Sequence, residues 1–176
     1  MVSPICSPAE RAWQALEAVT DPEIPVVTIA ELGILRAVNA RDDGTLEVVI
    51  TPTYSGCPAM GQIEDDVRAA LAAQGLEAEV VTRLAPAWTT DWITPAAREK
   101  LRAFGIAPPN GVAATAATAG NVVRLAPRRA RAADAVPCPR CGSHDTTEVS
   151  HFSSTACKAL YRCLACLEPF DHFKPY

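Results

Sequence analysis

Aromatic residues are scarce in this chain, at 6% of 176 residues. Any core therefore has to be built mainly from aliphatic side chains and alanine, which the hydrophobic content of 49% allows. Histidine is absent before position 144, which removes the commonest general base from the longer N-terminal part. No apolar run approaches the ~20 residues needed to span a bilayer. Met1–Glu10 carries neither a basic nor an apolar leader segment, so a soluble cytoplasmic protein with no membrane partner is expected. An excess of positive charge is missing too: the formal net charge is −4, which disfavours nucleic acid as the main partner. The short basic run at Arg124, Arg128, Arg129 and Arg131 reads better as a solvated tether. There is no hydrolytic triad, phosphate-binding glycine loop, paired glycosidase carboxylates or dinucleotide fingerprint. These absences point to a non-catalytic binding, assembly or maturation component.

What is abundant is cysteine. Of seven, four form Cys138-Pro139-Arg140-Cys141 and Cys163-Leu164-Ala165-Cys166. Two such loops can donate four thiolates to one tetrahedral metal, with zinc the default ion. The intervening stretch, Gly142 to Arg162, is slightly longer than the usual spacing. Gly142 suits the sharp turn of a metal knuckle. His144, His151 and His172 all fall in the same region and could each replace a cysteine, although four thiols already complete a tetrahedron. Cys157 reads as a buried strand residue, or as an alternative ligand if the occupant is an iron–sulfur cluster. Cys6 is assigned no role. Unpaired cysteines in this number suit a reducing compartment.

Ser7-Pro8-Ala9-Glu10 is a capping box that starts a helix burying Trp13, Leu16 and Val19 and stopping at Asp21-Pro22. Ile34–Asn39 and Leu46–Thr51 are expected strands joined by the hairpin turn Arg41-Asp42-Asp43-Gly44. A second helix should begin at Pro58, bury Ile63, Val67 and Leu71, and end at Gly75. Glu77–Leu84 is a third strand, returning parallel through the helical crossover. An aromatic loop with Trp88 and Trp92 leads to a third helix, with Thr94 as cap, Leu101 and Phe104 inward, and Gly105 as stop. The tryptophans would cover the sheet edge, or anchor a protein partner if partly exposed.

The expected fold class is thus a small α-β-β-α-β-α sandwich with a mixed three-stranded sheet, followed by a C-terminal zinc-ribbon module. Residues 1–106 form the α/β domain and 107–136 an Ala/Pro/Arg-rich linker with a short strand at Val122–Leu125. Residues 137–176 form the four-cysteine ribbon, which is too small to fold without its metal.

Within the first domain, Ser55-Gly56-Cys57-Pro58 places a thiol after a strand and at the cap of the second helix. A helix N-terminus favours a thiolate, whereas Glu64, Asp65 and Asp66 oppose it. Metal or cluster ligand and small buried apolar residue are both open for Cys57 on these grounds. Asp21-Pro22-Glu23-Ile24-Pro25 places two carboxylates on a stiff turn. Asp21 is more simply read as accepting local backbone hydrogen bonds, and Asp91, between the tryptophans, carries a similar ambiguity.

Three stretches together resemble a known family: Asp21–Pro25, Thr51-Pro52-Thr53-Tyr54-Ser55-Gly56-Cys57-Pro58, and Ser154-Thr155-Ala156-Cys157-Lys158-Ala159-Leu160-Tyr161-Arg162-Cys163. The first two resemble the small domain of iron–sulfur assembly factors of the SufT and cytosolic-targeting type. With Trp88-Thr89-Thr90-Asp91-Trp92-Ile93 and the cysteine ribbon added, the chain is similar to the D-subunit family of phenylacetyl-CoA epoxidases. That resemblance implies an accessory role in aerobic phenylacetate breakdown, assisting iron or Fe–S insertion. It implies Cys57 as a transient ligand with Asp21 and Glu23 nearby, and Cys138, Cys141, Cys163 and Cys166 as the ribbon metal site. Implied partners are the other subunits of the oxygenase complex, with a second copy of the chain a further candidate. A structural or regulatory adaptor that docks through the ribbon is the alternative.

Overall fold

A computed structural model describes residues 7–109 and 135–175. The tether arginines, the Val122–Leu125 segment, Cys6 and most of the expected linker lie outside those residues. The chain divides into two compact units, Met1–Lys100 and Leu101–Tyr176.

The first unit opens with α1, Pro8–Leu16. Its capping box is formed in both directions: the Ser7 hydroxyl accepts from the Glu10 amide and the Glu10 carboxylate accepts from the Ser7 amide. Ala12 and Leu16 are fully buried, while Trp13 is half-buried and donates its indole N–H to Glu17. The helix ends at Leu16, short of the expected Asp21. Val19 is buried beyond the helix, where its neighbour Thr20 bridges to Thr28.

From there to Ile34 the chain forms turns with no regular element, and no periodicity in the residues marks them. They nonetheless bury Ile24, Val27, Ile29, Leu32 and Ile34 almost completely. Their backbone groups are satisfied locally, as burial demands. The Asp21 amide donates to Val27, the Ile29 amide to Val19 and the Ile34 amide to Ile29. Thr28 and Glu31 make a second reciprocal side-chain and backbone pair.

Strands β1 (Leu35–Ala40) and β2 (Leu46–Ile50) pair antiparallel through the expected turn, where Gly44 takes φ +83°. Helix α2 covers Met60–Ala72 and buries Ile63, Val67 and Leu71. It closes through Gly75, at φ +65°, with the Leu76 amide reaching back to Leu71. Strand β3 (Ala78–Thr82) then runs parallel to β2, so the sheet order is β1-β2-β3 and the sheet is mixed, as the crossover rule requires. Helix α1 packs on β1 and α2, and α2 packs on β3.

Trp88 is 4% exposed and donates its indole N–H to the Leu32 carbonyl. Gly33, at φ +71°, abuts Trp92, and a Cβ there would lie 2.6 Å from the Trp92 Cβ. Trp92 is half-buried and carries the Arg36 guanidinium 3.5 Å from its ring centroid. Helix α3 spans Pro95–Phe104, with the Thr94 hydroxyl accepting from the Ala97 amide. Leu101 is fully buried, but Phe104 is 53% exposed, against the expectation that it points inward.

The second unit is a four-stranded sheet in the order β4-β7-β6-β5. Its strands are β4 (Ile106–Ala107), β5 (Thr146–Ser150), β6 (Lys158–Cys163) and β7 (Pro169–Phe173). β5, β6 and β7 form an antiparallel meander, and β4 pairs parallel with β7. Ile106 and Ala107 thus belong to this sheet, straddling the position where the sequence reading placed the start of the linker.

Candidate metal centre and the Cys57 turn

The ribbon's metal-ligating capacity begins with its turns. In the first knuckle the Gly142 amide donates to the Cys138 carbonyl and the Cys138 amide to the Ser143 carbonyl. In the second, the Cys163 amide donates to the Glu168 carbonyl and the Cys166 amide to the Cys163 sulfur, at 3.4 Å. Each knuckle places the residue after its second cysteine in the left-handed region: Gly142 at φ +74° and Leu167 at φ +66°. Glycine adopts that conformation freely; leucine does so at a cost of about 1–2 kcal/mol.

The knuckles bring Cys138, Cys141, Cys163 and Cys166 together with all four sulfurs within 4.8 Å of one another. Across the knuckles, Cys138 and Cys166 stand 3.8 Å apart and Cys141 and Cys163 stand 3.6 Å apart. A tetrahedral ion with metal–sulfur bonds of about 2.3 Å has sulfur–sulfur edges of about 3.8 Å, so the donor set fits such an ion. Charge supports the fit. The Cys166 amide, aided by Ala165 and the neighbouring thiols, draws the Cys163 thiol down to about 7. The Glu168 amide favours the Cys166 thiolate, but burial and the other three sulfurs push that thiol up to about 12. Cys141 is also raised: the Ser143 amide works against this, but Cys163, burial and Cys138 outweigh it. Four thiols this close do not all ionise unaided, and a cation supplies the missing charge.

None of the three histidines joins this set. His144 is exposed, and His151 is exposed beside Glu148 at 3.3 Å. His172 is 6% exposed, and its Nε2 has no hydrogen-bond partner. Burial drives its pKa down to about 4, with the Glu148 charge opposing. Cys157 is 5% exposed and precedes β6, its sulfur 3.0 Å from the Thr155 hydroxyl. It lies outside the four-sulfur set and is buried as expected, but on the turn before β6 and not in a strand.

Cys57 is half-buried, on the turn between β2 and α2. Its amide donates to the Tyr54 carbonyl and its carbonyl accepts from Met60 at 3.4 Å. Because α2 starts at Met60, with Ala59 as its N-cap residue, the thiol stands ahead of the helix instead of capping it. The three acidic residues have other partners. Glu64 pairs with Arg68 and accepts from Thr82, Asp65 pairs with Arg68, and Asp66 accepts from Gln62.

Asp21 is 7% exposed, and its Oδ1 accepts from the amides of Glu23 (2.9 Å) and Ile24 (2.8 Å), forming the turn the residues suggested. Among the described residues, Cys57, Asp21 and Glu23 are not gathered into a ligand group like that of the ribbon.

Sequence reading missed a buried polar cluster at the end of β6 away from Cys163. Lys158 is 5% exposed and pairs with Asp171 at 3.4 Å, while Asp171 also accepts from the Ser153 hydroxyl. Burying a lysine is costly unless it is paired. The stretch Lys158–Cys163 has no strict alternation that would mark the lysine as inward-facing.

Comparison with known proteins matches residues 9–82 to the family model "Iron-sulfur cluster assembly protein" and residues 125–174 to "PaaD zinc beta ribbon domain". The chain is 48% identical over 163 residues to a protein of Escherichia coli (strain K12) provisionally named the D component of 1,2-phenylacetyl-CoA epoxidase. That match covers 92% of this chain and 90% of the relative. It is 38% identical over 84 residues to the Fe-S protein maturation auxiliary factor YitW of Bacillus subtilis (strain 168), covering 47% of this chain and 81% of that protein. It is also 38% identical over 80 residues to the Fe-S protein maturation auxiliary factor SufT of Staphylococcus aureus (strain USA300), covering 43% and 88%. With a four-thiol ribbon following an assembly-type α/β unit over nearly its full length, this chain belongs to the D-subunit family of phenylacetyl-CoA epoxidases.

Proposed function

We propose that this chain is a non-catalytic accessory component of a phenylacetyl-CoA epoxidase system that delivers iron or an iron–sulfur cluster to the oxygenase or its reductase. The observation that carries this reading is the half-buried Cys57 on the turn before α2, inside the segment that matches iron–sulfur cluster assembly proteins. Iron or the cluster is cargo here, held transiently by the Cys57 thiolate. Asp21 orders its own turn through its two amide hydrogen bonds, and Glu23 offers a second carboxylate from that turn. The ribbon thiols hold one zinc ion that shapes the module, for which the sulfur spacing is suited. The partners are the other oxygenase subunits, with self-association as a dimer a further possibility to be read from sedimentation.

The test is co-production of the oxygenase and reductase subunits with wild-type chain or Cys57→Ala. The reading expects lower iron occupancy and epoxidation with the variant. Full metallation and full activity with Cys57→Ala would remove the carrier role.

One observation favours a second reading, an adaptor that docks through the ribbon. Val149, Phe152, Leu164 and Leu167 are 57%, 61%, 48% and 60% exposed, and exposed apolar residues of this size suit a protein interface. On that reading Leu164→Asp with Leu167→Asp abolishes capture of the oxygenase subunits, while Cys57→Ala leaves capture intact.

A further inference from the structure

The four thiols of the ribbon are not equivalent. Cys138 and Cys163 are 2% and 0% exposed and belong to an apolar cluster with Ala107, Val136 and Phe170. Cys166 is half-buried and packs against the same cluster. Cys141 is the exposed member. We propose that Cys141 is the exchange ligand of this site, the sulfur through which the metal is loaded and released, and that its counterpart is an incoming thiolate.

Backbone ties support the asymmetry. Cys138 is held at both its amide and its carbonyl, and Cys163 at its amide and its sulfur. Moving either off a metal opens the cluster that also holds Ala107 of β4 and Phe170 of β7. Moving Cys141 gives up the Ser143 amide at its sulfur but opens no part of that cluster. The next residue, Gly142, faces open space, with nothing within 4 Å of where a Cβ would lie. A zinc-type ion would impose no directional preference of its own on the four sulfurs. An incoming thiolate would take the place of the Cys141 sulfur, while Cys138, Cys163 and Cys166 would keep their positions. The incoming group would arrive as a thiolate and the Cys141 sulfur would depart as one, so charge is conserved and nothing is oxidised or reduced. The proposal concerns the ribbon alone and is independent of the role given to Cys57.

The test uses the full chain, purified without oxygen and loaded with one equivalent of zinc. Limiting N-ethylmaleimide followed by peptide mass mapping reports each cysteine separately. Cys141 is expected to react about tenfold or more ahead of Cys138, Cys163 and Cys166, the ratio that a barrier difference of about 1.4 kcal/mol produces. In parallel, Cys141→Ser is expected to release zinc to a chromophoric chelator faster than wild type while keeping the β-sheet signal, and Cys163→Ser to lose both zinc and sheet. Labelling of all four cysteines at one rate overturns the proposal, as does earlier labelling of Cys138 or Cys163. The wild-type labelling order decides the matter even if a variant fails to fold.

Discussion

Replacing His172 with phenylalanine should make the ribbon more stable in mild acid, and the structure sets the size of the effect. The imidazole is buried in β7, edge-on to Tyr161 with ring centroids 5.3 Å apart, and its Nε2 has no partner. The charge that works against this burial is Glu148, which the Tyr161 hydroxyl reaches at 3.2 Å. Burial holds the histidine pKa at about 4 in the folded chain, against about 6.5 when unfolded. For a group depressed in this way, the stabilising contribution is complete above the unfolded pKa and is lost as pH falls through the folded one. The loss begins near pH 6.5 and runs at about 1.4 kcal/mol per pH unit, reaching about 2 kcal/mol at pH 5 and about 3 kcal/mol below pH 4. Phenylalanine keeps the ring contact with Tyr161 and has nothing to protonate. Hydrogen–deuterium exchange of the β6 and β7 amides, compared between wild type and His172→Phe at each pH, isolates this term, because protonation of the metal thiolates is common to both. The gap in opening free energy should widen from pH 7 to pH 5 by about 2 kcal/mol. Parallel curves for the two proteins over that range would refute the reasoning.

Leu167→Gly relieves a left-handed leucine, and a gain of about 1 kcal/mol or less in ribbon stability is expected from thermal unfolding of the metal-bound form, since glycine's extra unfolded-state freedom offsets part of the relief. Chelation of the metal should abolish protection of the β5–β7 amides in hydrogen exchange, as small metal-stapled modules unfold without their ion. Tryptophan fluorescence should stay native-like under the same treatment, because Trp13, Trp88 and Trp92 all belong to the first unit. Leu16→Ala, at a fully buried position, should cost the first unit about 2–5 kcal/mol by urea unfolding.

How much of this was legible beforehand depends on how local each signal is. The Ser7–Glu10 box, the Asp43-Gly44 turn, the periodicity of Ile63, Val67 and Leu71, and the paired cysteines each act within a few residues, and the structure carries them all. Long-range features were hidden. Ile106 and Ala107 become a strand only because Asp171 and His172 lie beside them, and two residues show no periodicity of their own. The core between Val19 and Ile34 consists of irregular turns whose hydrogen bonds were invisible without the fold. Helix α1 ended early because Asp21 organises a turn of its own, and α2 began late, leaving Cys57 ahead of it. Phe104 looked inward by spacing from Leu101, yet a helix end one turn long past its last buried residue leaves such a side chain in solvent. Which cysteine of the four is exposed depends on packing by Ala107, Val136 and Phe170, and no spacing rule carries that information.

The most direct test of the central claim is a transfer measurement. The full chain is loaded anaerobically with radioactive iron and sulfide, freed of unbound label, and mixed with metal-free oxygenase and reductase subunits, which are then separated and counted. Label should move from the wild-type chain to one of those subunits and restore its activity, and Cys57→Ala should transfer little. Equal transfer from Cys57→Ala, or no transfer from either protein, would contradict the account.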